Sequence, residues 1–247
     1  MDFLDKRVKG ICGELQKLKI KQRFPVTKWQ YKEGNFIYPG DASADEKAWE
    51  PYDGKTMHWY GPDRHYWFRT EAVVPEEMDG KPLWMHVCTQ IDEWDDAKNP
   101  QFLLFVNGKI VQGIDMNHRE VLLTDKAEAG ETLTLELQAY TGTLHTEFSL
   151  LVQLQEVDAA IEKLYYDLWV PSAAFGRMDA DDKNRKDIEN ILNETINLLD
   201  LRSSYSEAFY RSLEDASAYI GQALYTDMAG YEDVTAACIG HTHIDVA

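Results

Sequence analysis

Two imidazoles and a carboxylate recur at every second position in Gly240-His241-Thr242-His243-Ile244-Asp245-Val246, directly after the apolar run Val234-Thr235-Ala236-Ala237-Cys238-Ile239. Side chains alternate between the two faces of an extended chain, so His241, His243 and Asp245 would project together from one face. Their nitrogen and oxygen donors are those that zinc accepts, and a catalytic zinc commonly has three protein ligands and one open position. The blander alternative is a polar terminus on a short buried strand, which would show the same alternation. A site built here needs further ligands and reacting groups, and these are expected beyond Ala247, the last residue of the chain.

Several metal-dependent hydrolase patterns share part of this run. Metallo-β-lactamase-like hydrolases use His-x-His-x-Asp-His, and Val246 stands where the last histidine would be. An amidohydrolase places His-x-His at the end of its first barrel strand and has no need of Asp245. The run most resembles the opening of the catalytic barrel in glycoside hydrolase family 38, the α-mannosidases, where Gly-His-x-His-x-Asp begins the domain. In that resemblance His243 and Asp245 match two zinc ligands. A second patch, Gln112-Gly113-Ile114-Asp115-Met116-Asn117-His118-Arg119-Glu120, resembles the Gln-Gly-x-Asp-x-Asn-His segment that follows an Asn-Gly hairpin in bacterial and cytosolic members of that family. Taken from the residues alone, Asp115, Asn117 and His118 are turn residues whose side chains bond nearby backbone groups, and that role is preferred over catalysis.

The resemblance implies a retaining exo-α-mannosidase with zinc as cofactor and α-mannoside oligosaccharides as substrates. It also implies a nucleophilic aspartate that ligates the metal, an acid that protonates the leaving oxygen, and a second histidine. None of these is assigned to a residue of this chain, so the catalytic set is empty and the metal ligands are His243 and Asp245. The implied molecule is the N-terminal portion of such an enzyme, inactive without its barrel.

The elements that must position these residues follow from composition and periodicity. With 247 residues and 44% apolar content, the chain can bury sizeable cores. A net charge of -18, dispersed rather than blocked, argues against general binding of nucleic acid or anionic membrane. The first residues lack a basic segment followed by an apolar one, and no run reaches the length of a membrane span, so a cytoplasmic protein is expected. Cys12, Cys88 and Cys238 are odd in number and far apart, which suggests buried thiols rather than disulfides.

In chain order, Phe3, Leu4, Val8, Ile11, Leu15 and Leu18 predict a helix near 2–20, stopped by Phe24-Pro25 and docked on a neighbouring domain. Residues 1–25 form this N-terminal helical segment. From 26 to 154, short apolar runs divided by turn signals predict an all-β sandwich, with Asn107-Gly108 as the clearest hairpin turn. Leu133, Leu135 and Leu137 mark one half-buried strand, and Phe148, Leu150, Val152 and Leu154 share a face of another. Tyr66-Trp67-Phe68-Arg69, Gly80-Lys81-Pro82-Leu83 and Val106-Asn107-Gly108-Lys109 resemble the strand and turn order of galactose-binding-like jelly rolls.

Trp49, Trp59, Trp67, Trp84 and Trp94 fall in this region; a core role is preferred over a sugar-stacking face. Helical periodicity returns over 155–230, with Pro171 as a break or bend and Ser203 or Ser204 as a cap. Residues 231–247 are expected to be the first strand of an α/β barrel. Its apolar edge invites association with another chain, so a homo-oligomer belongs among the expected partners. The fold class is α+β: helix, sandwich, helical connector and a severed barrel strand. The alternative function is a stand-alone carbohydrate-binding sandwich.

Overall fold

The computed structural model describes residues 3–90 and 100–228. Trp94, Cys238, the strand expected over 231–247 and the residues His241, His243 and Asp245 lie outside them. In chain order the elements are α1 (Phe3–Leu18), β1 (Ile20–Val26), β2 (Lys28–Glu33), α2 (Pro39–Ala44), β3 (Glu50–Asp53), β4 (Trp59–Tyr60) and β5 (His65–Val73). There follow β6 (Leu83–Cys88), β7 (Gln101–Val106), β8 (Lys109–Ile114), β9 (Glu120–Thr124), β10 (Thr132–Tyr140), β11 (Glu147–Phe148) and β12 (Leu151–Val157). The chain then turns helical in α3 (Ala159–Phe175), α4 (Arg185–Asn197) and α5 (Glu207–Gln222). The fold is α+β. Residues 20–158 form one compact unit, and residues 3–19 and 159–228 are the described part of the other.

The β unit is an antiparallel sandwich. Its six-stranded sheet has the order β3-β2-β5-β10-β7-β8 and its four-stranded sheet the order β1-β12-β6-β9, with β11 and β4 paired separately. Period-two alternation builds the core: Leu133, Leu135, Leu137 and Ala139 of β10 are buried with Leu83, Met85 and Val87 of β6 and Val152 and Leu154 of β12. Asn107 and Gly108 link β7 to β8 with φ of 51° and 76°, the positive pair that a two-residue turn between twisted strands requires. Asn107 fits this turn twice over, since its side-chain oxygen accepts the Thr134 amide at 2.9 Å.

β1 starts at Ile20, so the sandwich takes in residues 20–25, which the periodicity assigns to the helical segment. Pro25 does not prevent this, because β1 is an edge strand and a proline there need not cost a ladder bond.

In the helical unit, Leu4, Val8, Cys12 and Leu15 of α1 share one core with Ile161, Leu164 and Leu168 of α3 and with Phe209, Leu213 and Ile220 of α5. The three- and four-residue spacings of these positions are those of single helix faces. Two local expectations change. Ser206, not Ser203 or Ser204, caps α5: its backbone is extended and its hydroxyl accepts the Phe209 amide at 3.2 Å. Of the break or bend expected at Pro171, the break does not occur: Pro171 lies inside α3, which continues to Phe175. A proline here removes the amide that would bond the carbonyl four residues earlier, Asp167. The Tyr225 hydroxyl donates to that carbonyl at 3.4 Å instead.

Candidate functional site

Of the sequence-derived site residues, His243 and Asp245 fall outside the described residues, and so does His241. Among the described residues, no three of His, Cys, Asp and Glu converge as a metal would need. What the structure does place is the Gln112–Glu120 patch. Asp115 follows β8 directly, and its Oδ1 accepts the amides of Asn117 at 2.8 Å and His118 at 2.7 Å, with His118 Nδ1 at 3.0 Å. Partial burial pulls the Asp115 carboxyl up, but these donors outweigh it and hold the group below its ordinary value of 3.8. An exposed turn stitched in this way orders a loop; its polar groups are spent on one another.

The tryptophans divide as core packing predicts. Trp29, Trp59 and Trp67 are buried, and Trp59 meets Tyr66, Phe68, Phe102 and Phe148 at centroid distances of 5.2–5.6 Å. Trp49 and Trp84 are half-buried. A row of exposed tryptophans for stacking on sugar is not what the described part of the sandwich presents.

A cleft of about 300 Å³ opens beside this aromatic cluster. Glu33, Glu50, Tyr60, Arg64 and Tyr66 line it, and several of its polar groups bond to one another. Arg64 donates to Glu33, Tyr31 to the Glu50 carboxylate at 3.3 Å, and the Tyr66 hydroxyl to the Tyr60 carbonyl at 3.1 Å. Burial, then the charge of Glu33, pushes the Tyr66 phenol upward, so this tyrosine stays a neutral donor.

The outer face of the six-stranded sheet carries a second concavity, of about 570 Å³. Two rows of side chains cross strands β2, β5 and β10 there, set by register: Lys32–Trp67–Gln138 and, two residues further along each strand, Gln30–Arg69–Glu136. The first row is covered. Lys32 is buried and donates to the carbonyls of Ala42 at 2.7 Å and Asp45 at 3.3 Å, while Trp67 and Gln138 donate to the Phe36 carbonyl at 3.2 and 2.6 Å. The loop carrying α2 is thereby fastened down, with Ala42, Trp67 and Phe105 as a small outer core. The second row lines the open pocket. Alternation along β10 places Glu136 outward in the sequence, but only the tertiary structure shows that the α2 loop walls it in.

Of the thiols expected to be buried, Cys12 is buried and Cys88 half-buried, and Cys238 lies outside the described residues. Cys12 is buried in the helical unit and its pKa is pushed up to about 11 by desolvation, leaving an unreactive thiol; Cys88 is half-buried and free. Among the described residues no helix is long and apolar enough to cross a membrane.

No family model and no curated protein matches the chain. Among solved structures it is similar to a β-glucuronidase from Ruminococcus gnavus in complex with a C6-substituted uronic isofagomine, at 11% identity and a TM-score of 0.39 over 57% of this chain. It is also similar to the Faecalibacterium prausnitzii β-glucuronidase, at 10% identity and a TM-score of 0.35 over 56% of this chain. The match spans 30% and 32% of those chains, so this one corresponds to less than a third of their length.

Proposed function

We propose that this chain is the N-terminal portion of a retaining, zinc-dependent, cytoplasmic α-mannosidase that hydrolyses terminal α-mannosyl residues of oligosaccharides. The observation that carries the reading is the run Gly240-His241-Thr242-His243-Ile244-Asp245, which resembles the opening of the family 38 barrel. The Gln112–His118 patch, standing after the Asn107-Gly108 hairpin, supports it independently in the order the family has. His243 and Asp245 would hold the zinc, since an imidazole nitrogen and a carboxylate oxygen are donors the metal takes. Zinc held there would supply Lewis-acid polarisation of substrate oxygens.

Within this chain the sandwich and helices precede in sequence the segment that carries the two ligands. On this reading the nucleophile and acid of a retaining reaction are assigned to no residue of this chain. Two ligands without a completed shell bind zinc weakly, so the 247 residues alone are inactive toward an aryl α-mannoside. The test is the longer parent protein: Asp245→Ala should remove zinc and hydrolysis together while the sandwich stays folded. Normal zinc content and normal rates in that variant would overturn the assignment. So would turnover by the isolated chain that is lost on His243→Ala.

A further inference from the structure

The outer-face pocket holds an acceptor with no protein donor among the described residues. Glu136 is only 7% exposed, yet its carboxylate accepts no hydrogen bond among the described residues. Among the described residues the buried side-chain polar atoms without a partner are Trp49 Nε1 and Gln155 Oε1, so the Glu136 oxygens face the solvent of the pocket, where a ligand can reach them. Arg69, its neighbour across β5 and β10, makes no salt bridge with it among the described residues. The guanidinium is held elsewhere: Nε donates to Gln30 at 2.8 Å, and the group lies 4.0 Å from the centroid of the Trp49 ring. Its two terminal nitrogens make no hydrogen bond among the described residues. A pocket of about 570 Å³ thus presents a rigidly seated donor fork beside an acceptor that lacks donors.

The pocket's charges cancel, with Lys28 and Arg69 against Glu71 and Glu136. A net-charged ligand gains no overall attraction, whereas a ligand with many hydroxyls can donate to Glu136 and accept from Arg69 at once. Ser43 and Thr134 add hydroxyls to the lining. We propose that this pocket is a binding site for a neutral saccharide, with Glu136 accepting from one ring hydroxyl and Arg69 donating to the next. It would give the chain a sugar subsite on the sandwich, built from residues other than those of the histidine motif. It deepens the reading above, on which the choice of mannosides as probes rests.

Saturation-transfer NMR and calorimetry on the full 247-residue chain test this with methyl α-mannopyranoside and methyl β-glucopyranoside, against glucuronate, glucosamine and glycine as charged or zwitterionic competitors. The expected result is saturable binding of a neutral pyranoside in the millimolar range, weakened about tenfold or more by Glu136→Gln. Thr134→Phe, which fills the pocket from a strand position that accepts aromatics, should abolish it. Tyr60→Ala, in the other cleft, should leave it unchanged.

Absence of saturable binding by either neutral pyranoside would overturn the proposal, as would binding that survives both pocket variants or is lost on Tyr60→Ala. Tighter binding of glucuronate, glucosamine or glycine would overturn the neutral class. Failure of this proposal and failure of the mannosidase reading are distinguishable. Pocket binding with no zinc-dependent hydrolysis in the parent removes the latter alone; hydrolysis without pocket binding removes the former alone.

Discussion

Single carboxylates set the pH behaviour of the sandwich, and two of them pull in opposite directions. Burial raises the Glu136 carboxyl above its ordinary value of 4.5, with the Arg69 charge opposing. The native protein therefore holds a proton on Glu136 at pH values where the unfolded chain has lost it, and the stability contribution falls as pH rises through that window. Glu136→Gln is expected to raise Tm at neutral pH, with the gap to wild type closing as pH falls through the raised value toward 4.5. Thermal melts at a series of pH values check this, and a variant less stable at neutral pH would contradict it. Asp115 behaves inversely. Its carboxyl is depressed by the Asn117 and His118 donors against the effect of burial, so its contribution is present above 3.8 and lost as pH falls through the lowered value. Asp115→Ala should cost about 1 kcal/mol at neutral pH and less in acid, measured by urea unfolding.

At the scale of elements, the β7–β8 hairpin and α3 each depend on one residue with restricted geometry. Gly108 sits at φ 76° with open space around its missing side chain, so Gly108→Ala meets backbone strain without a clash. About 1–2 kcal/mol of destabilisation is expected, readable as a lower urea midpoint. In α3, Tyr225→Phe should remove the donor to the Asp167 carbonyl that Pro171 leaves without an amide. Faster amide exchange in the last two turns of α3 is expected, with exchange in α1 unchanged; exchange unaltered throughout α3 would show that water satisfies the carbonyl equally well.

For the whole molecule, the two units close separate cores, one of aromatic and aliphatic side chains between sheets and one of helix faces. Tryptophan emission reports mainly on the first, which holds Trp29 and Trp59, whereas ellipticity at the helical band reports mainly on the second. Denaturation followed by both probes is expected to give two transitions rather than one coincident curve. Coincident curves would mean that the units unfold as a single cooperative body.

Periodicity along the chain was enough for much of this architecture. The three- and four-residue spacing from Phe3 to Leu18, the alternation of Leu133, Leu135 and Leu137, and Asn107-Gly108 each encode local geometry, because face and turn depend on neighbouring residues alone. The Asp115 turn was legible for the same reason. Pro171 was not, since whether a proline ends a helix or is carried by it depends on a partner for the freed carbonyl, here a tyrosine 58 residues away. The outer-face pocket was least legible of all. Alternation says only that Arg69 and Glu136 point away from the sandwich core. Their register across β5 and β10, the Trp49 ring under the guanidinium, and the loop fastened by Lys32 are contacts between residues distant in sequence. Sequence alone determined which residues share a face; the tertiary structure decided which outward-facing charges became buried, because burial depends on what the rest of the chain lays over them.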